Sequence, residues 1–113
     1  MAVPPGLTCP RDRLTSFAGL VSAYERSERG LRIQIRTDWD TVENIVVPGV
    51  GESGLRDRFL LRGAPFAASD WPRIESAPGV PRPGLRAIAW VCDDGRTLPV
   101  IDWRPDESMP RQR

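Results

Sequence analysis

Apolar positions recur at helical spacing near the start of the chain. Leu14, Phe17, Ala18, Val21 and Tyr24 fall at i, i+3, i+4, i+7 and i+10, which is the pattern of one apolar stripe on a helix. Leu20 widens the stripe. Pro10 suits a first helical turn with Thr8 or Cys9 as cap, and Gly30 suits the stop. The spacing predicts a helix over residues 10–29, preceded by a proline-rich extended arm over residues 1–9.

The period then changes to two. Leu31, Ile33 and Ile35 alternate with Arg32, Gln34 and Arg36, the mark of a strand with one buried face. Residues 42–47 form a second expected strand, closed by Pro48-Gly49, with residues 37–41 as its hairpin loop. Residues 49–54 read as flexible linker. Residues 55–62 fit a short helix or a strand centred on Phe59-Leu60-Leu61, and the strand is preferred, which makes residues 31–62 a strand region. Residues 63–84 hold five prolines and no sustained period, so a long loop is expected, with one helical turn around residues 71–76 capped by Ser69-Asp70. Residues 85–92 and 97–103 flank Asp94-Gly95, a favoured two-residue hairpin turn. Pro99 would put the last strand at an edge or a bulge. Residues 104–113 complete the chain as a polar tail.

The predicted architecture is a single small α+β domain. An N-terminal amphipathic helix packs on a four- to five-stranded, mainly antiparallel sheet or a small bent barrel. A chain of 113 residues fits one such domain.

Composition removes whole classes of chemistry. All 16 basic residues are arginine, with neither lysine nor histidine, a usage that fits a genome rich in G and C. Schiff-base lysines, Ser–His–Asp and Cys–His catalysis, and histidine-ligated zinc are therefore excluded within this chain. The net charge of +1 argues against a strong field for nucleic acid or membrane. Cys9 and Cys92 sit in no metal-binding or redox spacing. Cys92 lies in an apolar run, and no signal peptide or membrane span is visible. The expectation is a cytoplasmic protein with two free thiols.

Three features invite a functional reading. Asp38, Asp40 and Glu43 lie within six residues and offer oxygens to Mg²⁺ or Ca²⁺, although a solvated loop using its aspartates for turn amides is the preferred reading. Asp102 lies in an apolar strand on the face of Val100 and, if buried, requires an arginine partner. Of four tryptophans, Trp90 and Trp103 fall in strands and read as core. Trp39 and Trp71 fall in loops, and tryptophan and arginine dominate binding hot spots.

These observations favour a small non-enzymatic protein-binding module, a regulator, immunity or assembly component. Its expected partner is another protein or a second copy of itself, met through Trp39, Trp71, Arg73, Arg82 and Arg86. No cofactor is expected. A metal-dependent hydrolase or nuclease using Asp38, Asp40 and Glu43 is the first alternative, and arginine-mediated nucleic-acid binding is the second.

Overall fold

The segment carrying the helical stripe is a strand. The computed structural model describes residues 7–49 and 51–105. In it Arg11–Arg13 makes a single 3-10 turn and Leu14–Ser27 forms β1. The expected α+β architecture, with a helix over residues 10–29 on a four- to five-stranded sheet, gives way to a mostly β fold. A β-bulge accounts for the difference. β1 pairs with β2 (Gly30–Thr37) from Gly19 to Val21 and again from Ala23 to Ser27, leaving Ser22 as the extra residue. Phe17 and Val21 keep the alternation of a strand, and the bulge advances the next inward position to Tyr24. Leu14 and Ala18 pack on the other face, against a second cluster. Two faces and one bulge together imitate the spacing of a single helical face. Val21, Thr15 and Tyr24 also prefer extended backbone on a half-buried surface.

Seven strands make one sheet in the order β3-β2-β1-β8-β9-β4-β5, where β3 is Val42–Pro48, β4 Phe59–Leu61, β5 Ala64–Pro65, β8 Arg86–Cys92 and β9 Val100–Arg104. Neighbours are antiparallel except β4 and β9, which run parallel. A small separate hairpin joins β6 (Glu75–Ala77) to β7 (Val80–Pro81). The first half of β1 pairs with β8 and the second half with β2, and the two ladders overlap at Gly19 and Leu20. A Cβ at Gly19 would stand 2.1 Å from the Arg36 carbonyl oxygen, so only glycine admits β2 this closely.

Other expectations are refined. Part of the expected linker over residues 49–54 belongs to α1 (Glu52–Arg56), so residues 55–62 contain a helix end followed by β4. The expected loop over residues 63–84 carries β5, a 3-10 turn at Ala68–Asp70, α2 (Trp71–Ile74), β6 and β7. α2 lies within the helical turn foreseen there. β8 and β9 pair as expected, yet Asp94-Gly95 is not a two-residue turn, because β9 starts only at Val100. The Asp94 carboxylate instead accepts the Thr97 hydroxyl and the Thr97 and Arg96 amides, which hold its pKa down to about 2 and wind the connection into a wider loop. Pro99 precedes β9, which lies inside the sheet rather than at an edge.

The main core lies on one face of the sheet. Leu31, Ile33, Ile35, Ile45, Val47, Ala87, Ala89, Ile101 and Trp103 project there, and Leu55, Phe66 and Ile74 cover them. Phe59 is the centre of an aromatic cluster, 5.4 Å from Phe66, 5.8 Å from Trp71 and 5.4 Å from Trp103 by ring centroids. These edge-on contacts add to the burial energy of the rings. On the opposite face Ile88, Trp90 and Val100 form a smaller cluster with Leu7, Leu14, Ala18 and Leu60.

Cys9 and Cys92, expected as free thiols, form a disulfide with Cα atoms 6.0 Å apart. The sequence hides their proximity because 83 positions separate them. The β1–β8 register sets Leu14 opposite Cys92, which brings the segment before β1 back to the end of β8. Among the described residues no helix is long and apolar enough to cross a membrane.

Candidate functional site

The turn between β2 and β3 holds a tryptophan out in water. Trp39 is 87% exposed, more than any other large hydrophobic side chain among the described residues. Its backbone, in contrast, is tied down from several sides. The Thr37 amide donates to the Thr41 carbonyl at 2.8 Å and the Asp40 amide to the Thr37 carbonyl at 2.9 Å. Thr37 Oγ1 accepts the amides of Trp39 and Thr41 at 3.3 and 3.1 Å and lies 2.7 Å from Thr41 Oγ1. Asp40, at φ 67°, takes the left-handed position that closes a three-residue hairpin loop.

Asp38 fastens this turn to the sheet. Its amide donates to the Ala18 carbonyl at 3.0 Å. Arg86 Nη2 donates to both carboxylate oxygens, at 2.8 and 2.9 Å. Arg86 is itself buried, so this pair is charge-assisted and partly desolvated. Beside the ring lies a groove of about 400 Å³ lined by Phe17, Ala18, Thr37, Asp38, Trp39 and Glu43.

The three carboxylates proposed for a metal go separate ways. Asp38 turns to Arg86, Asp40 lies 3.9 Å from Arg36, and Glu43 lines the groove. Among the described residues no group of three histidine, cysteine, aspartate or glutamate side chains is placed to hold a metal ion.

Trp71 sits in different surroundings. It packs edge-on against Phe59 and Phe66, and the Arg26 guanidinium lies 4.4 Å above its ring. Its Nε1 donates to Glu52 at 2.6 Å. Arg26 also forms a two-point ion pair with Glu75, at 2.6 and 2.7 Å, and the Tyr24 hydroxyl donates to the same carboxylate at 2.5 Å. Burial alone would push the Glu75 carboxyl up, but Arg26, Tyr24 and the Gly79 amide together hold it below the usual value. Burial, and then its bond to Glu75, push the Tyr24 hydroxyl up. Arg26, Glu52, Trp71 and Glu75 line an open groove of about 500 Å³ with Pro72 and Pro78. Each is engaged by a neighbour, and their visible effect is to clamp the β6–β7 hairpin to β1.

The remaining candidate arginines divide. Arg73 is exposed at the end of α2, Arg82 donates to the Pro72 carbonyl at 2.7 Å, and Arg86 is the buried anchor of Asp38. Trp90 and Trp103 are buried as expected. Asp102 is buried with the arginine partner its position demanded, Arg104 at 2.8 Å, and also accepts the Gly63 amide. Thr37, Tyr24, Arg26 and Glu75 were not singled out from sequence. Arg26 and Glu75 stand 49 positions apart, so no local spacing announces them. Compared with protein-family models, curated proteins and solved structures, the chain shows no significant match in any of the three.

Proposed function

We propose that this protein is a non-enzymatic binding module that recognises another protein through Trp39, as a regulator, immunity or assembly component. The observation carrying this reading is an exposed indole on an immobilised backbone. A large apolar side chain left in water costs free energy that a partner recovers by covering it. Binding through a fixed turn also avoids the entropy of ordering a loop. The groove beside the ring supplies the concavity that hot-spot anchors use. Asp40 follows Trp39 in the turn and Glu43 lines the groove beside the ring, so a partner presenting an arginine or lysine across the indole matches the site in charge and in cation–π chemistry. Trp71, held under Arg26 and against the aromatic cluster, contributes to this surface only by supporting the fold.

The cytoplasmic expectation rested on the lack of a visible signal peptide and carried two free thiols with it; the Cys9–Cys92 bridge replaces those thiols and weighs against that compartment. Bridges of this kind persist in oxidising compartments, which is where we place the protein.

The test is affinity capture from the native extract with wild type and Trp39→Ala. A protein retained by wild type and lost by the variant, at equal folding, supports the reading. An identical set of retained proteins contradicts it.

A further inference from the structure

The two edges of the seven-stranded sheet are unequal. β5 is two residues long and ends in Pro65, a short and blunted edge. β3 runs for seven residues, and among the described residues nothing pairs with its outer side. The ladder fixes which backbone groups stand free there. The Thr37 amide bonds to the Thr41 carbonyl and the Gly49 amide to the Arg29 carbonyl, so the odd-numbered residues of β3 bond to β2 in this register. Val42, Asn44 and Val46 therefore point their amides and carbonyls outward. Pro48 shares their parity, where its missing N–H costs no ladder bond.

We propose that β3 pairs antiparallel with β3 of a second copy about a two-fold axis at Asn44. The side-chain pattern at this edge is self-complementary. The outer face of β3 reads Val42, Asn44, Val46, and the neighbouring β2 reads Arg36, Gln34, Arg32. Both runs are palindromic about the same row. A two-fold sets Val42 opposite Val46 of the copy and Asn44 opposite Asn44, each pair exchanging two main-chain hydrogen bonds. Val42 and Val46, now 54% and 49% exposed, cover each other. The central row becomes Gln34, Asn44, Asn44, Gln34, an amide ladder able to bond side to side. Facing arginines of the two copies stand three strand spacings apart, about 14 Å, beyond a screening length of about 8 Å in physiological salt. On the inner face the Glu43 methylenes lie along Ile45 of the copy. The result is one continuous sheet with a Trp39 turn near each end of the junction, and the pairing does not depend on what Trp39 binds.

Sedimentation velocity of the full chain over a concentration series tests this. Wild type is expected to pass reversibly from the 12.6 kDa chain to twice that mass. Asn44→Pro removes an outward amide and spares the β2 ladder, so it should lose the dimer while keeping the wild-type circular dichroism spectrum. Val46→Lys places a charge on the same edge and gives a second reading if the proline variant fails to fold. Asn44→Cys, on the axis, should form a disulfide-linked dimer, whereas Val80→Cys, exposed elsewhere, should not. Trp39→Ala should dimerise like wild type, which separates this claim from the one above. A chain monomeric at every concentration, whether another segment or nothing covers β3, overturns the proposal. So does a dimer that survives both Asn44→Pro and Val46→Lys.

Discussion

At the scale of single residues, the Trp39 turn is shaped by two backbone constraints. Asp40 holds φ 67° without being glycine, and aspartate tolerates that region better than most residues yet worse than glycine. Asp40→Gly should raise stability by about 0.5–1 kcal/mol in thermal unfolding. A clear loss would show that the Asp40 carboxylate matters more than its backbone. Gly19 is the reverse case. Gly19→Ala forces a methyl against the Arg36 carbonyl and should lower the melting temperature sharply by separating β1 from β2. The sequence placed Trp39 in a loop between two aspartates, but left open whether the ring folds back over the core or stands in water. Its anchor was not legible, since Arg86 lies 48 positions from Asp38 and reads locally as one more strand arginine.

Among the elements, β1 shows most clearly why periodicity alone misled. Apolar residues on both faces and one inserted residue at Ser22 together give the spacing of a helix, and nothing in the local sequence marks the insertion. β2, β3 and the pairing of β8 with β9 were legible because their alternation is unbroken and one face is buried. The short pieces between residues 52 and 81 depend on tertiary partners, which for the β6–β7 hairpin is the clamp on Glu75. Its pKa lies below the usual 4.5, so its contribution is complete above pH 4.5 and is lost as the pH falls below that value through the lowered pKa. Tyr24 works in the opposite sense, contributing below its ordinary 10.0 and losing that contribution as the pH rises past it. Glu75→Gln should cost about 2–3 kcal/mol, less than a fully buried pair because Arg26 remains 25% exposed. It should also flatten the acid limb of a melting-temperature profile between pH 7 and 3. An unchanged profile would remove Glu75 from the acid response. Replacing both cysteines by serine should cost about 2–4 kcal/mol in chemical denaturation, since the bridge closes a long loop in the unfolded chain. Equal stability of the bridged and unbridged proteins would contradict that.

At the scale of the whole molecule, two loop tryptophans that look alike in sequence occupy opposite surroundings. Trp71 closes the aromatic cluster and carries Arg26 on its face, whereas Trp39 stands clear of the fold on a turn fixed by Thr37, Thr41 and Arg86. Trp71→Ala should therefore destabilise by about 2–4 kcal/mol, at the lower side of aromatic core deletions because the ring is half-buried. Trp39→Ala should change stability by no more than about 0.5 kcal/mol. The most direct test is calorimetric titration of a partner captured by wild type into wild type, Trp39→Ala and Trp71→Ala, each at a temperature where it is folded. Trp39→Ala is expected to lose at least about 2 kcal/mol of binding, roughly thirtyfold in affinity, with Trp71→Ala close to wild type. Wild-type affinity in Trp39→Ala, or a larger loss in Trp71→Ala than in Trp39→Ala, would contradict it.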